Sequence, residues 1–238
     1  MAKASVKNKA IPAHVGLIPD GLRRWARSHG VSFKKGYSLG ISKFVDFGIW
    51  LKKHGVKTLT AWALSTENIK GRDRSEIEML FKLYAMSARD PKIINKLKKN
   101  QTRVNIIGRL ELLPENVRKA LLSLQDKTKQ YKGFSINLLV AYGGTDDLVY
   151  AAKKITRARK KPKAINESTL RSYLMTSKVT NPDLIIRTSG EQRLSGFLPF
   201  QSGYSELYFV NRYWPDFEES DLKKAIDEFS KRKRRYGK

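Results

Sequence analysis

Two kinds of apolar pattern alternate along the whole chain, and that alternation constrains the fold more than any single residue does. Short continuous runs stand at 14–19, 56–63, 104–108, 134–141, 184–186 and 207–210. Each is too short for a helix and rich in branched aliphatic residues, so each reads as a strand. Between them apolar residues recur three or four apart. Ile41, Phe44, Val45 and Gly48 lead to a stop at His54-Gly55, Ile77, Leu80, Phe81 and Tyr84 follow, and Val117 to Leu124 begin at Pro114. A basic segment, 147–159, and a charged terminal one from Glu218 complete the helical set. Strands separated by helices form a parallel sheet covered on both sides. The run 134–141, apolar throughout and closed by Gly143-Gly144, has the pattern of a strand buried on both faces. The expectation is a single α/β domain with a central, mostly parallel sheet of about six strands and helices on both faces. A chain of 238 residues holds one such core. Residues 1–13 read as a basic tail and 14–238 as the domain, with Lys153 to Lys163, seven basic residues and no acid, as its one flexible insertion.

In an open parallel sheet, ligands sit beyond the carboxyl ends of the strands, so the segments just after them hold the chemistry. After the first run stand Pro19-Asp20-Gly21-Leu22-Arg23-Arg24-Trp25. Backbone N–H groups and guanidinium forks suit a diphosphate, and a carboxylate beside a diphosphate suits Mg²⁺. Taken alone, Asp20-Gly21 is equally well a turn or a helix cap. After the run 184–186 come Arg187, Thr188, Ser189, Gly190, Glu191, Gln192, Arg193, Leu194 and Ser195. Two arginines and a serine on one short loop can wrap a second phosphate group. Glu206 is either a second carboxylate for the metal or a solvated residue at a strand's start.

Charge narrows the partners. Lys and Arg number 48 against 22 Asp and Glu, leaving +26, which attracts nucleic acid, an anionic membrane or a phosphorylated substrate. With no RNA- or DNA-binding motif, no specific nucleic acid is expected. The absence of cysteine excludes disulfides, thiolate metal clusters and a cysteine nucleophile. His14, His29 and His54 lack metal-ligand spacing. The segment MAKASVKNKAIPAH has no apolar core, so a cytoplasmic protein is expected. Lys153 to Lys163 and Lys231 to Arg235 offer a peripheral contact to an anionic bilayer, with a solvated basic surface as the alternative.

Six segments, in order, make the sequence similar to the cis-prenyltransferases, the undecaprenyl diphosphate synthase family. His14 to Trp25 resembles that family's strand followed by Asp-Gly-Asn-Gly-Arg-Trp, and Ser65-Thr66-Glu67-Asn68 its Ser-Ser/Thr-Glu-Asn segment. Asn137 to Gly144 resembles its Tyr-Gly-Gly strand end, and Arg187 to Ser195 its Arg-Thr-Gly-Gly-Glu-x-Arg-x-Ser loop. Tyr204 to Phe209 with Trp214 to Phe217, and Arg235 to Gly237, match its last two motifs. The resemblance implies the cis-prenyltransferase fold and condensation of an allylic diphosphate with isopentenyl diphosphate, giving a short or medium prenyl diphosphate. It also implies Mg²⁺ as cofactor and an apolar tunnel for the product. Carried over, Asp20 holds Mg²⁺ and assists departure of the allylic diphosphate, which rests on Gly21, Leu22, Arg23, Arg24 and Trp25. Ser65, Thr66 and Glu67 also border substrate, and Asn68 assists proton removal. Arg187, Arg193, Leu194 and Ser195 hold the acceptor, and Glu206 completes the metal site. Ala63, Phe134 and Val140 line the tunnel. Arg235 and Gly237 imply a homodimer, since that tail reaches a partner's active site.

Departures from the family pattern gather on the allylic side. Leu22 replaces Asn, Arg23 replaces Gly, Phe33 replaces Arg and Tyr37 replaces His; Thr145 stands for Arg and Gln192 for His. Three readings follow: a regular condensing enzyme with altered allylic preference, a lavandulyl-type enzyme coupling two allylic units with dimethylallyl diphosphate as acceptor, and a weakly active subunit of a heteromeric synthase. Two further expectations come from these residues. Phe134 stops product growth early, and Asp20→Ala removes activity while sparing the fold.

Overall fold

The computed structural model describes residues 10–233. Along the chain run β1 (His14–Ile18), α1 (Leu22–Ser28), α2 (Phe33–Lys53), β2 (Thr58–Ser65), α3 (Thr66–Gly71), α4 (Arg74–Arg89), α5 (Pro91–Lys99) and β3 (Thr102–Ile107). Then follow α6 (Glu115–Thr128), β4 (Phe134–Tyr142), α7 (Gly144–Arg157), α8 (Glu167–Tyr173), β5 (Leu184–Arg187), β6 (Glu206–Phe209) and α9 (Glu219–Lys231). The strands form one sheet in the order β3-β4-β2-β1-β5-β6, and every pairing is parallel.

Strand periodicity sorts the core into two layers. Leu184 and Ile186 point into a large cluster with Phe47 and Leu51 of α2, Leu80 and Tyr84 of α4, Leu121 and Leu124 of α6, and Phe229 of α9. Ile185, between them, points to the other side, where Ile18, Leu139, Tyr142 and Phe197 pack. A residue shift of one would exchange these faces, so the register is fixed by burial. On the second side α7 is fastened by Asp147, which accepts from Met175 N–H at 2.6 Å and Thr176 Oγ1 at 2.5 Å. Gln201 Nε2 donates to the same hydroxyl at 2.7 Å.

The six expected strands are present, with bounds moved where capping decides. The second strand lies two residues later than its apolar pattern because Ser65 ends it and caps α3, its Oγ accepting from Asn68 N–H at 3.0 Å. Lys153 to Lys163 is not a flexible insertion. Ala151 and Ile155 are buried and hold α7 in helix to Arg157, after which Arg159 turns at φ 52° into a short 3-10 segment, Pro162–Ala164. The helices α1, α3, α5 and α8 escape the periodicity because each has nine residues or fewer.

β1 lies between β2 and β5. The chain leaves β1 towards β2 and leaves β5 towards β6, so connections diverge at that pair and open a crevice at its carboxyl end. Asp20 and Arg187 stand on its two sides.

Candidate active site

Three residues after β1, Gly21 caps α1 with φ 96°, a left-handed conformation natural to glycine. Space requires it too, since a Cβ there would lie 2.5 Å from Tyr213 Cδ1. This turn sets Asp20 over the crevice. Its Oδ2 accepts from Arg187 Nη2 at 2.8 Å, its Oδ1 accepts from Gly21 N–H at 2.6 Å, and Arg24 Nη2 lies 3.5 Å away. Burial by itself raises the carboxyl's pKa. The Arg187 and Gly21 hydrogen bonds, with the charges of Arg187 and Arg24, outweigh it and hold Asp20 below the usual range. Asp20 is therefore an ionised oxygen donor at neutral pH. Among the described residues no three His, Cys, Asp or Glu side chains gather. One carboxylate facing a phosphate-sized basin fits Mg²⁺, which takes its remaining ligands from phosphate and water.

Arg187 is buried. It donates to Ser195 Oγ at 2.9 Å and to the Arg193 carbonyl, and its Nε has no partner among the described residues. Asp20 and Ser195 from loops and Arg187 from the end of β5 thus converge. They border a basin of about 340 Å³ together with Leu22, Tyr37, Ser65, Glu67, Asn68 and Arg72. Beside it, a second basin of about 320 Å³ is bounded by Gly21, Arg23, Arg24 and Arg27 and shares Pro19, Asp20, Leu22, Tyr37 and Arg72 with the first. Four guanidiniums around one small basin call for a multiply charged anion.

The altered residues of this side form one assembly. Arg23 Cζ lies 5.6 Å from the centre of the Phe33 ring, and Arg27 Cζ lies 5.5 Å from it. Two guanidiniums of α1 thus stand over the Phe33 ring. Tyr37 donates to Glu76 Oε1 at 2.7 Å, Arg72 Nη1 donates to Tyr37 Oη at 2.6 Å, and Arg72 Nη2 donates to Asn68 Oδ1 at 3.0 Å. Leu22 packs on Gly40 of α2, where an added Cβ would meet it at 2.5 Å. Arg27, Arg72 and Glu76 are site residues that pattern reading missed. Arg72 and Glu76 are four apart across a helix break and Arg27 is an ordinary helix cation, so only the tertiary packing brings them together.

The basin meets a second cavity at Ala63. Ile41, Phe44, Ala63 and Tyr84 border both the basin and this apolar cavity of about 70 Å³, whose walls include Leu97, Val104, Leu121, Leu124, Ile136 and Leu138. Tyr84 is held at this junction by its hydroxyl, which donates to the Ala63 carbonyl at 2.6 Å. A polar basin with an ionised Asp and paired arginines adjoins a largely apolar pocket, an arrangement suited to a ligand with an anionic head and a hydrocarbon tail.

The family model for undecaprenyl diphosphate synthases matches residues 18–237. This chain belongs to the undecaprenyl diphosphate synthase family, the cis-prenyltransferases. It is 42% identical over 236 residues to the tritrans,polycis-undecaprenyl-diphosphate synthase (geranylgeranyl-diphosphate specific) of Methanopyrus kandleri, covering 98% of this chain and 87% of that one. The corresponding synthase of Sulfolobus acidocaldarius is 40% identical over 238 residues, 98% and 91% of the two chains. Among solved structures, lavandulyl diphosphate synthase from Lavandula x intermedia, in complex with dimethylallyl diphosphate, superposes with a TM-score of 0.89 at 35% identity, covering 96% and 99%. A probable undecaprenyl diphosphate synthase from Campylobacter jejuni gives 0.78 at 29% identity, covering 95% and 99%.

Within this cis-prenyltransferase, Asp20, Gly21, Leu22, Arg23, Arg24, Ser65, Glu67, Asn68, Arg187 and Ser195 border the two basins. The expectations for Glu206, Trp25, Thr66, Leu194, Phe134 and Val140 are corrected, and Arg193 borders neither basin. Glu206 does not join Asp20: it starts β6 opposite Leu184, roughly 10 Å down the sheet from Arg187, and pairs with Arg232 at 2.8 Å. Trp25 borders neither basin. Its indole N–H donates to Asp216 at 2.6 Å and anchors α1. Thr66 is buried with its hydroxyl donating to Glu67 at 3.1 Å, and Leu194 packs on the second-layer cluster. Phe134 and Val140 do not line the cavity; on the same strand Ile136 and Leu138 do. Arg235 and Gly237 lie outside the described residues.

Proposed function

We propose that the enzyme elongates a geranylgeranyl-sized allylic diphosphate with isopentenyl diphosphate in cis steps, as the names of its archaeal relatives describe for them. The observation that carries this reading is the junction at Ala63, where the Asp20–Arg187 pair faces the basin and an apolar pocket leads away. The allylic diphosphate lies on the α1 N-terminus with Arg23, Arg24 and Arg72. The acceptor's diphosphate lies on Arg187, Arg193 and Ser195, and its double bond faces the allylic carbon. Mg²⁺ held by Asp20 and the diphosphates would neutralise charge that develops on the leaving group. The allylic C–O bond breaks and diphosphate leaves with its electron pair, the acceptor's terminal alkene carbon bonds to the allylic carbon, and the tertiary cation so formed loses a proton from its adjacent methylene to a diphosphate oxygen. Asn68, its amide oxygen fixed by Arg72, orients the acceptor for that loss. The cavity's 70 Å³ is about half the ~150 Å³ that admits benzene, so a growing chain displaces Phe44, Tyr84 and the α6 side chains as it enters.

The half-buried edge strand β6 and its Glu206–Phe209 backbone support docking of a second copy, giving the homodimer. The exposed cations of the 153–163 segment support cytoplasmic residence with peripheral contact to an anionic bilayer, which receives the hydrocarbon product. Among the described residues no helix is long and apolar enough to cross a membrane.

The test is incubation of the purified protein with Mg²⁺, labelled isopentenyl diphosphate and allylic diphosphates from C5 to C20, with product skeletons read by mass spectrometry and NMR. Linear cis products with fastest turnover on the C20 substrate support the reading. A branched product formed from dimethylallyl diphosphate alone would favour lavandulyl-type coupling, the activity named for the structural relative at 35% identity.

A further inference from the structure

One carboxylate joins the two arginine-bearing loops. Glu191 Oε1 accepts from Arg24 Nη1 at 2.9 Å, and Glu191 Oε2 pairs with Arg193 Nη1 at 2.7 Å. Arg24 borders the allylic basin, while Arg193 belongs to the acceptor loop, whose carbonyl anchors Arg187. A single anion therefore serves as counterion to one cation of each diphosphate site. Arg24 has a second hold, donating through Nη2 to Ser189 Oγ at 2.7 Å, so it stays in place when Glu191 leaves.

We propose that Glu191 is a positioning residue that couples the two diphosphate sites, as a shared counterion that the first ligand displaces from both arginines. This rests on reading the two loops as diphosphate sites. A phosphate arriving on Arg24 takes one of the two partners of Glu191 and sets like charge beside the carboxylate. Glu191 then leaves, and Arg193 is released for the second diphosphate, which no longer has a counterion to displace. Coupling of this kind is reciprocal, so either ligand strengthens the other by the same factor. Arg24 and Arg193 are 41% and 61% exposed. Water competes for such pairs, which places the factor near the low end, about five- to tenfold.

The experiment is isothermal titration of isopentenyl diphosphate into the full-length protein, with and without saturating geranylgeranyl thiodiphosphate, an allylic analogue that resists ionisation. The wild type should bind isopentenyl diphosphate about five- to tenfold more tightly when the analogue is present. Glu191→Gln should bind each ligand alone tighter by a similar factor and show coupling within twofold of none, while Glu191→Asp restores it. If Glu191→Gln keeps the wild-type coupling, or binds neither single ligand more tightly, the inference is wrong. Two ligands that bind the wild type independently would overturn the role of Glu191 alone. A wild type that binds neither would overturn the two-site reading and the inference with it.

Discussion

Asp20 and Arg187 depend on each other, and this changes what their substitutions report. Arg187's side chain is 5% exposed and Asp20 is its carboxylate partner. Removing the acid leaves a buried guanidinium without its counterion, at a cost of roughly 2–3 kcal/mol after allowing for Asp20's partial exposure. Asp20→Ala should therefore melt earlier as well as lose turnover, against the expectation from sequence that the fold is spared. Asp20→Asn, which keeps a hydrogen-bond acceptor, should retain most of the stability and still lose at least a hundredfold in kcat; melting curves and single-turnover rates separate the two. A near-normal rate for Asp20→Asn would remove Asp20 from the chemistry. The two acceptor arginines differ likewise. Arg193→Ala should raise KM for isopentenyl diphosphate by roughly tenfold or more, a loss of about 1.5–3 kcal/mol, with little change in kcat. Arg187→Ala should lower kcat too, because Asp20 loses its hold.

At the scale of elements, β1 carries a second testable feature far from the basin. His14 is buried at 3% exposure, its ring nitrogens 2.8 Å from Thr60 Oγ1 and 2.9 Å from Thr180 Oγ1. Burial lowers its pKa to about 4, against a partial offset from Asp183. The folded protein thus keeps His14 neutral while the unfolded chain protonates it near 6.5. This contribution to stability is complete above pH 6.5 and is lost as pH falls towards 4, on the order of 3 kcal/mol in all. Urea midpoints at pH 7 and pH 5 should show the fall, and His14→Gln should flatten it; equal slopes in both proteins would contradict the assignment. On the proposed reading, helix α6 and strand β4 line the cavity that a growing product would enter. Leu124→Ala should deepen the cavity and lengthen the product, at about 2–5 kcal/mol of stability, and Ala63→Leu should block the junction and shorten it. Phe134→Ala should leave product length unchanged, because that ring sits against Gly48, outside the cavity.

Across the whole molecule, what could be read from the sequence was whatever repeats along it. Strand runs gave the parallel sheet, and the rule that ligands sit past strand ends pointed to Asp20 and Arg187, which meet beside one basin. What packing alone decides was not visible. The Arg23–Phe33 contact needs α1 and α2 to cross, and Arg72 reaches the basin only because α3 ends one residue earlier. Glu206 was misplaced because a motif tells which residues travel together, not which end of a strand faces the crevice. Phe134 was misplaced because alternation gives the face of a strand and not the depth of a cavity. The direct test of the whole account is a crystal structure of the protein with Mg²⁺ and geranylgeranyl thiodiphosphate. The diphosphate should lie on Gly21 to Arg24 with the metal on Asp20, and the tail should pass Ala63 between Phe44 and Tyr84 towards Leu138. A diphosphate seated on Arg187 to Ser195 with the tail running elsewhere would contradict it.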